Sequence, residues 1–327
     1  MPTCARRRLE PGRFRRSRTR SRCSESRWCA DGPRSRHRHE RVPGLRRHRG
    51  ADRALRQGHR HRCRHRPAPR CVKEKAGARL AFAAGEITEW PLLARLLKDG
   101  RLEKVVHCAA VLGVPASVGL PIGTFRVNIE GAINLLEAIR LFGVRWMVNI
   151  SSKVIYGPFL ADVIDENHRA LPTRPYGISK FVVEQVCRDY SAAHGLECVH
   201  TRTCWIFGPF FPRSRAPRIL LDAAISGRSL HLPGGANYAV DQVHVNDVIQ
   251  GALLALDKER LAYDAYHVTT DKAVSISEVV GHIKSHIPSA DISMGSGPLR
   301  FVDGTEAVRK GALSIAHAER ELEFRPN

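Results

Sequence analysis

A break in texture at residue 72 constrains this chain more than any other feature. Residues 1–72 hold 24 Arg, no Lys and five acidic residues, whereas residues 73–327 hold 29 basic and 27 acidic residues. The formal net charge of +21 therefore belongs to one segment. Tracts such as Gly58-His59-Arg60-His61-Arg62-Cys63-Arg64-His65-Arg66 offer almost no Leu, Ile, Val or Phe to offset the entropy of ordering, so disorder is expected there.

Three readings of residues 1–72 compete. An Arg-rich arm could hold RNA, DNA or another polyanion through phosphate contacts. A metal could be held by Cys23, Cys29, His37 and His39, or by Cys63 and Cys71 with His59, His61 and His65, but neither set has a zinc spacing. The favoured reading is translation of a GC-rich coding sequence in the wrong frame. Read one base later, an Arg-His alternation falls in codon boxes for Val, Ala, Ile and Thr, which suit a buried strand. The codons at Arg41, Gly44 and Arg47 then fall in boxes that include Gly, and the codon at Arg64 in one that includes Asp. That permits a G-x-x-G-F-V-G loop followed by a ribose-binding carboxylate at dinucleotide-fold spacing. As written, the segment contains no phosphate-cradling glycine loop.

From residue 73 the chain reads as globular. Short β-rich runs alternate with helical patterns, which predicts a doubly wound α/β fold: a Rossmann-like parallel sheet, its first β-α-β unit missing, with a smaller C-terminal lobe. The expected division is 1–72, then an incomplete dinucleotide-binding domain over 73–205, then a substrate lobe over 206–327. Strands are predicted at Arg79–Ala84, Lys104–Ala109, Arg145–Ser151 and Leu196–Thr203. Helices are predicted at Pro91–Lys98, at Ile122–Phe142 closing on Gly143, and from Tyr176 toward His194 with Gly195 as the stop. No run approaches ~18 apolar residues and no export signal is visible, so a cytoplasmic location without a membrane partner is expected.

The chemistry concentrates in Pro175-Tyr176-Gly177-Ile178-Ser179-Lys180. A Tyr and a Lys four apart share one helix face, and an ammonium beside a phenol favours phenolate. Such a pair is a candidate acid/base for interconverting an alcohol and a ketone. Alone, the spacing far more often describes a solvated surface pair; the neighbouring motifs reverse that balance. Upstream, Met147 to Ser152 is an apolar strand ending in two hydroxyl residues, at the strand end where open α/β sheets bind ligands. Val105-Val106-His107-Cys108-Ala109-Ala110 is another strand ending in small residues. Cys108, Cys187, Cys198 and Cys204 lie in apolar contexts and read as packed, reduced thiols, with no metal site expected.

Taken in order, His107 to Ala110, Val127-Asn128-Ile129-Glu130-Gly131, Ser151-Ser152 before Tyr156-Gly157, Pro175-Tyr176 through Lys180, Arg202 through Phe207-Gly208-Pro209, and Asp241 through Val248 resemble the extended short-chain dehydrogenase/reductase family, the NAD-dependent epimerase/dehydratase group. The resemblance covers about residues 79 to 325. It implies an NAD(P)-dependent oxidoreductase or epimerase working by hydride transfer on a secondary alcohol of a sugar-like, possibly nucleotide-linked, substrate. NAD is the implied cofactor, with NADP the alternative. The resemblance makes Tyr176 the catalytic acid/base, Lys180 its tuning partner and a cofactor ligand, and Ser152 the hydrogen-bonding partner of the reacting oxygen. It makes Glu86 and Ile87 the turn at the adenine and Ala109 and Ala110 cofactor wall, with Asn128 a scaffold position. A homodimer through the helices at 121–142 and 176–194 is also implied.

Departures from the pattern are equally specific. Trp205 stands where nucleotide-sugar members usually carry Asn, and Val240 where they tend to carry Arg. Lys153-Val154 replaces the Asp-Glu that follows the active-site hydroxyl in the 4,6-dehydratase branch, which sets dehydration aside. The competing reading is a cofactor-deficient remnant acting as a binding protein, with residues 1–72 as a nucleic-acid-binding arm; on the favoured reading no nucleic-acid partner is expected.

Overall fold

The computed structural model describes residues 80–208, 215–301 and 304–327. The expectations about disorder, metal ligation and reading frame in residues 1–72 lie outside them. Residues 73–327 cluster as one unit.

The elements follow in chain order. Helix α1 (Trp90–Gly100) starts with a Pro in its first turn, where a missing N–H costs nothing, and leads to strand β1 (Lys104–His107). Short helices α2 (Val114–Gly119) and α3 (Pro121–Phe125) precede a π-helical turn at Arg126–Glu130 and helix α4 (Gly131–Phe142). Strand β2 (Trp146–Ser152) ends in a 3-10 turn, Lys153–Tyr156, and β3 (Val163–Ile164) follows. Helix α5 (Pro175–His194) leads into β4 (Glu197–Thr203). Beyond it lie β5 (Trp205–Phe207), α6 (Ala216–Ile225), β6 (Leu230–Gly234), β7 (Ala239–His244) and α7 (Val245–Asp257). The chain finishes with β8 (Ala265–His267), β9 (Ala273–Ser275), α8 (Ile276–His286), β10 (Ile292–Gly297), β11 (Ala312–Leu313) and α9 (Ala316–Leu322).

The central sheet is wholly parallel, in the order β1-β2-β4-β8. Side-chain alternation along β2 sends Met147 to one face and Trp146 and Val148 to the other. On the first face Met147 packs with Leu93 and Leu97 of α1, Leu136 and Ile139 of α4 and Val183 of α5. On the second, Trp146 and Val148 meet Ala252 and Ala255 of α7, Tyr266 of β8, and Leu322 and Phe324. Helices thus cover both faces, which is why β2 opens with consecutive apolar residues, Trp146-Met147-Val148, rather than alternating ones. The fold is a Rossmann-like doubly wound α/β sheet. A second group forms around β5-β7-β9, the parallel β6-β10 pair, α6 and α8. Although they follow residue 206, β8, α7 and α9 pack on the central sheet.

Gly143 and Gly195 end α4 and α5 in the left-handed conformation, as their positions predict. Two expectations need correction. Residues 80–84 form no strand, because a strand gains its hydrogen bonds only from a neighbour and no described strand pairs with the outer edge of β1. The single helix expected over 122–142 is interrupted by the π turn around Asn128, whose amide is drawn to the 110s loop and to α5 rather than to solvent. Among the described residues no helix is long and apolar enough to cross a membrane.

Candidate active site

Ser151 and Ser152 close β2 at its C-terminal end, and both are buried. Ser152 caps the 3-10 turn, its hydroxyl accepting from Val154 N at 3.5 Å. The chain then leaves through Gly157, whose φ of +63° would strain any residue with a Cβ. Helix α5 begins directly against this turn. A Cβ on Gly177 would lie 3.0 Å from the Val154 carbonyl oxygen, so Gly177 permits the approach that sets Tyr176 and Lys180 beside the end of β2.

Tyr176, Ser179 and Lys180 are all buried on the first turns of α5. Lys180 Nζ donates to Ile150 O at 2.7 Å, tying the helix to β2 one residue before its hydroxyl pair. Ser179 Oγ donates to Tyr176 O and accepts from Asn128 Nδ2, both at 2.9 Å. Asn128 Oδ1 in turn accepts from Val111 N at 2.7 Å. The loop after β1, the π turn and the helix carrying Tyr176 are thereby joined through one buried amide.

Burial lowers the Lys180 ammonium to about 8, against the opposing pull of Cys108 and Glu184, so it remains mostly charged at neutral pH. Burial and then the Lys180 charge hold His107 down to about 3, which makes it a neutral core imidazole. Cys108, expected as a packed thiol, is instead exposed just past the end of β1.

The structure therefore brings Ser152, Tyr176 and Lys180 to one strand end. Ala109, exposed, and Ala110, half-buried, follow β1 on the neighbouring strand. Glu86 and Ile87 make their contacts elsewhere, in the turn before α1. Ile87 packs so closely on Gly131 at the start of α4 that a Cβ there would collide with it.

Three groupings escaped the sequence reading. Arg202 on β4 donates to both carboxylate oxygens of Glu184, at 3.1 and 2.8 Å, while Ser151 Oγ donates to Glu184 Oε1 at 2.5 Å. Arg202 also donates to the Tyr156 hydroxyl at 2.7 Å; that hydroxyl donates to His267 Nε2 at 2.6 Å, and His267 Nδ1–H donates to Ser314 O at 2.9 Å. The usable signal was spacing, since Glu184 lies four residues beyond Lys180 and eight beyond Tyr176, on the same helix face. The second grouping is Cys187, Cys198 and His200, whose donor atoms lie within 4.8 Å of one another, so these two thiols are not packed separately. The third is the set of cations around Trp205: Lys153 and Arg215 lie over its ring.

The NAD dependent epimerase/dehydratase family model matches residues 48–268, and the chain belongs to that family. A putative UDP-glucose 4-epimerase of Methanocaldococcus jannaschii is 32% identical over 190 residues, covering 57% of this chain and 61% of that protein. The chain thus spans less than two thirds of that relative's length. Among solved structures, UDP-glucose 4-epimerase from Thermotoga maritima with UDP-glucose superposes with a TM-score of 0.69 at 25% identity, covering 75% of this chain and 79% of that one. A double mutant of the dTDP-glucose 4,6-dehydratase from Streptomyces venezuelae, with NAD bound, gives 0.68 at 27% identity, covering 78% and 77%.

Proposed function

We propose that this chain is an NAD-dependent epimerase or oxidoreductase acting on a secondary alcohol of a nucleotide-linked sugar. The observation that carries the proposal is the burial of Tyr176 and Lys180 on one face of α5, with Lys180 anchored 2.7 Å from Ile150 O beside the Ser151-Ser152 strand end.

The residues suit the nicotinamide end of such a cofactor. Lys180 commits one of its three N–H donors to Ile150 O, which leaves donors for ribose hydroxyls. The small side chains of Ala109 and Ala110 stand past the C-terminal end of β1, where ligands of open α/β sheets bind. The pyrophosphate end is another matter, because the sequence as written contains no G-x-x-G-x-x-G.

Tyr176 takes the proton of the substrate hydroxyl as that alcohol is oxidised and returns it when the ketone is reduced. The Lys180 charge on the same face favours the phenolate that accepts this proton. Ser152 holds the substrate oxygen in line with the phenol. Bound NAD supplies the hydride acceptor and donor. Asn128 and Ser179 do not touch the reaction; they fix the turn on which Tyr176 rides.

The test is to incubate the full chain with NAD and UDP-glucose and resolve the sugars by chromatography. Interconversion with the 4-epimer, or stoichiometric NADH formation, is expected. Neither product at saturating NAD and sugar nucleotide would defeat the proposal.

A further inference from the structure

Helix α5 and strand β4 are joined by the turn at Gly195, whose φ of +66° suits glycine. The turn sets Cys187 of α5 against Cys198 and His200 of β4, which share one strand face because they lie two positions apart. One donor atom of each residue lies within 4.8 Å of those of the other two. Cys187 and His200 are fully buried, and Cys198 is half-buried. Nothing in their spacing along the chain announces a ligand set, which is why the sequence suggests packed thiols and no metal.

His200 has one ring nitrogen engaged and one free. Nδ1 lies 3.1 Å from Nδ2 of Asn149, its register partner on β2, whereas Nε2 has no hydrogen-bond partner. Asn149 Oδ1 is also without one. If Asn149 Nδ2–H donates to Nδ1, the ring proton sits on Nε2 as a buried donor facing no acceptor, which is costly. With the amide turned over, Oδ1 accepts from Nδ1–H and the lone pair stands on Nε2, the arrangement that partners of ligating histidines impose. The nearby carboxylate of Glu184 is committed elsewhere, to Arg202 and Ser151.

Two sulfurs and an imidazole nitrogen suit a borderline-soft ion and offer no oxygen to calcium or magnesium. Charge then selects among the softer ions. Two thiolates and a neutral imidazole carry two negative charges, so a divalent ion leaves the buried group neutral, whereas monovalent copper leaves it charged. Two Cys and one His with a water in the fourth position is a zinc donor set, and the half-buried Cys198 opens that fourth position to solvent. We propose that Cys187 Sγ, Cys198 Sγ and His200 Nε2 hold a divalent ion of the zinc class, which clasps α5 to β4. The clasp lies farther along α5 than Tyr176, Lys180 and Glu184, so it steadies the helix that carries them and touches no substrate. It is independent of the nucleotide-sugar reading above.

Residues 1–72 contain five further cysteines that also offer metal ligands, so the experiment has to locate the ion as well as detect it. Amide hydrogen exchange of the full, reduced chain, read peptide by peptide with and without zinc, does this with no variant. A clasp raises the free energy of local opening, so exchange over residues 183–203 should slow about tenfold or more when zinc is added. Titration with Co(II) gives the second reading. The parent should show thiolate-to-metal charge-transfer absorption, C198S should bind one equivalent less, and C108S, which alters an exposed thiol outside the group, should bind as much as the parent. Exchange over 183–203 that zinc leaves unchanged overturns the proposal, as does a C198S chain with undiminished Co(II) uptake. If C198S does not fold, the exchange measurement on the parent decides alone.

Discussion

Tyr176→Phe is expected to lower kcat by about 10²- to 10⁴-fold, the usual contribution of a positioned acid/base, and to leave NADH affinity within about twofold. The change deletes one hydroxyl from a side chain that is 8% exposed. The ring still fills its place, and the Lys180–Ile150 and Asn128–Ser179–Tyr176 backbone bonds are untouched because none uses the phenol. The loss therefore belongs in kcat rather than in cofactor affinity. A variant that turns over at the parental rate removes Tyr176 from the chemistry.

Glu184→Leu should have the largest effect on stability, about 3–5 kcal/mol, because it leaves the buried Arg202 guanidinium without its carboxylate. Urea unfolding reads this directly. The paired variant Glu184→Leu with Arg202→Met should recover most of the loss, since removing both charges is often neutral or stabilising. A single variant as stable as the parent would show that the pair does not support α5.

The same carboxylate sets a pH dependence. Burial alone would push Glu184 up, but His200 and the charge and hydrogen bonds of Arg202, with Ser151, bring it down to about 2. His200 is itself held neutral down to about pH 4 by burial, so near neutrality Arg202 carries the effect. Because the folded value lies below the ordinary carboxylate value of 4.5, the stabilisation is fully present above about pH 4.5 and is lost as pH falls toward 2. The parent chain should therefore lose this contribution across that acid window, and the Glu184→Leu chain should lack it.

Much of this was legible locally. Gly143 and Gly195 mark helix ends because a left-handed residue there suits glycine, and Pro175 marks the start of α5 because its absent N–H is not needed. Tyr176 and Lys180 could be placed on one face from spacing alone, and the strand ends at His107 and Ser152 from where the apolar runs stop. What failed depended on distant partners. Nothing near Lys153 in the chain shows that it shares the Trp205 ring with Arg215. Nothing near Glu184 shows that Arg202 faces it from β4, or near Cys187 that Cys198 and His200 lie opposite. The strand expected at 79–84 has the right residues, but its identity as a strand belongs to a neighbour rather than to itself. The π turn at Asn128 likewise reflects bonds to Val111 and Ser179, which lie 17 and 51 residues away.

Everything proposed for Tyr176, Lys180 and Ser152 depends on a nicotinamide reaching them in a chain whose written sequence lacks the usual phosphate loop. The most direct test is titration of the full chain with NADH, following the nicotinamide fluorescence, with Lys180→Met alongside. Saturable enhancement at micromolar NADH, weakened at least tenfold in Lys180→Met, is the predicted result. A parent chain that leaves the fluorescence unchanged up to millimolar NADH would contradict the assignment of this site to nicotinamide chemistry.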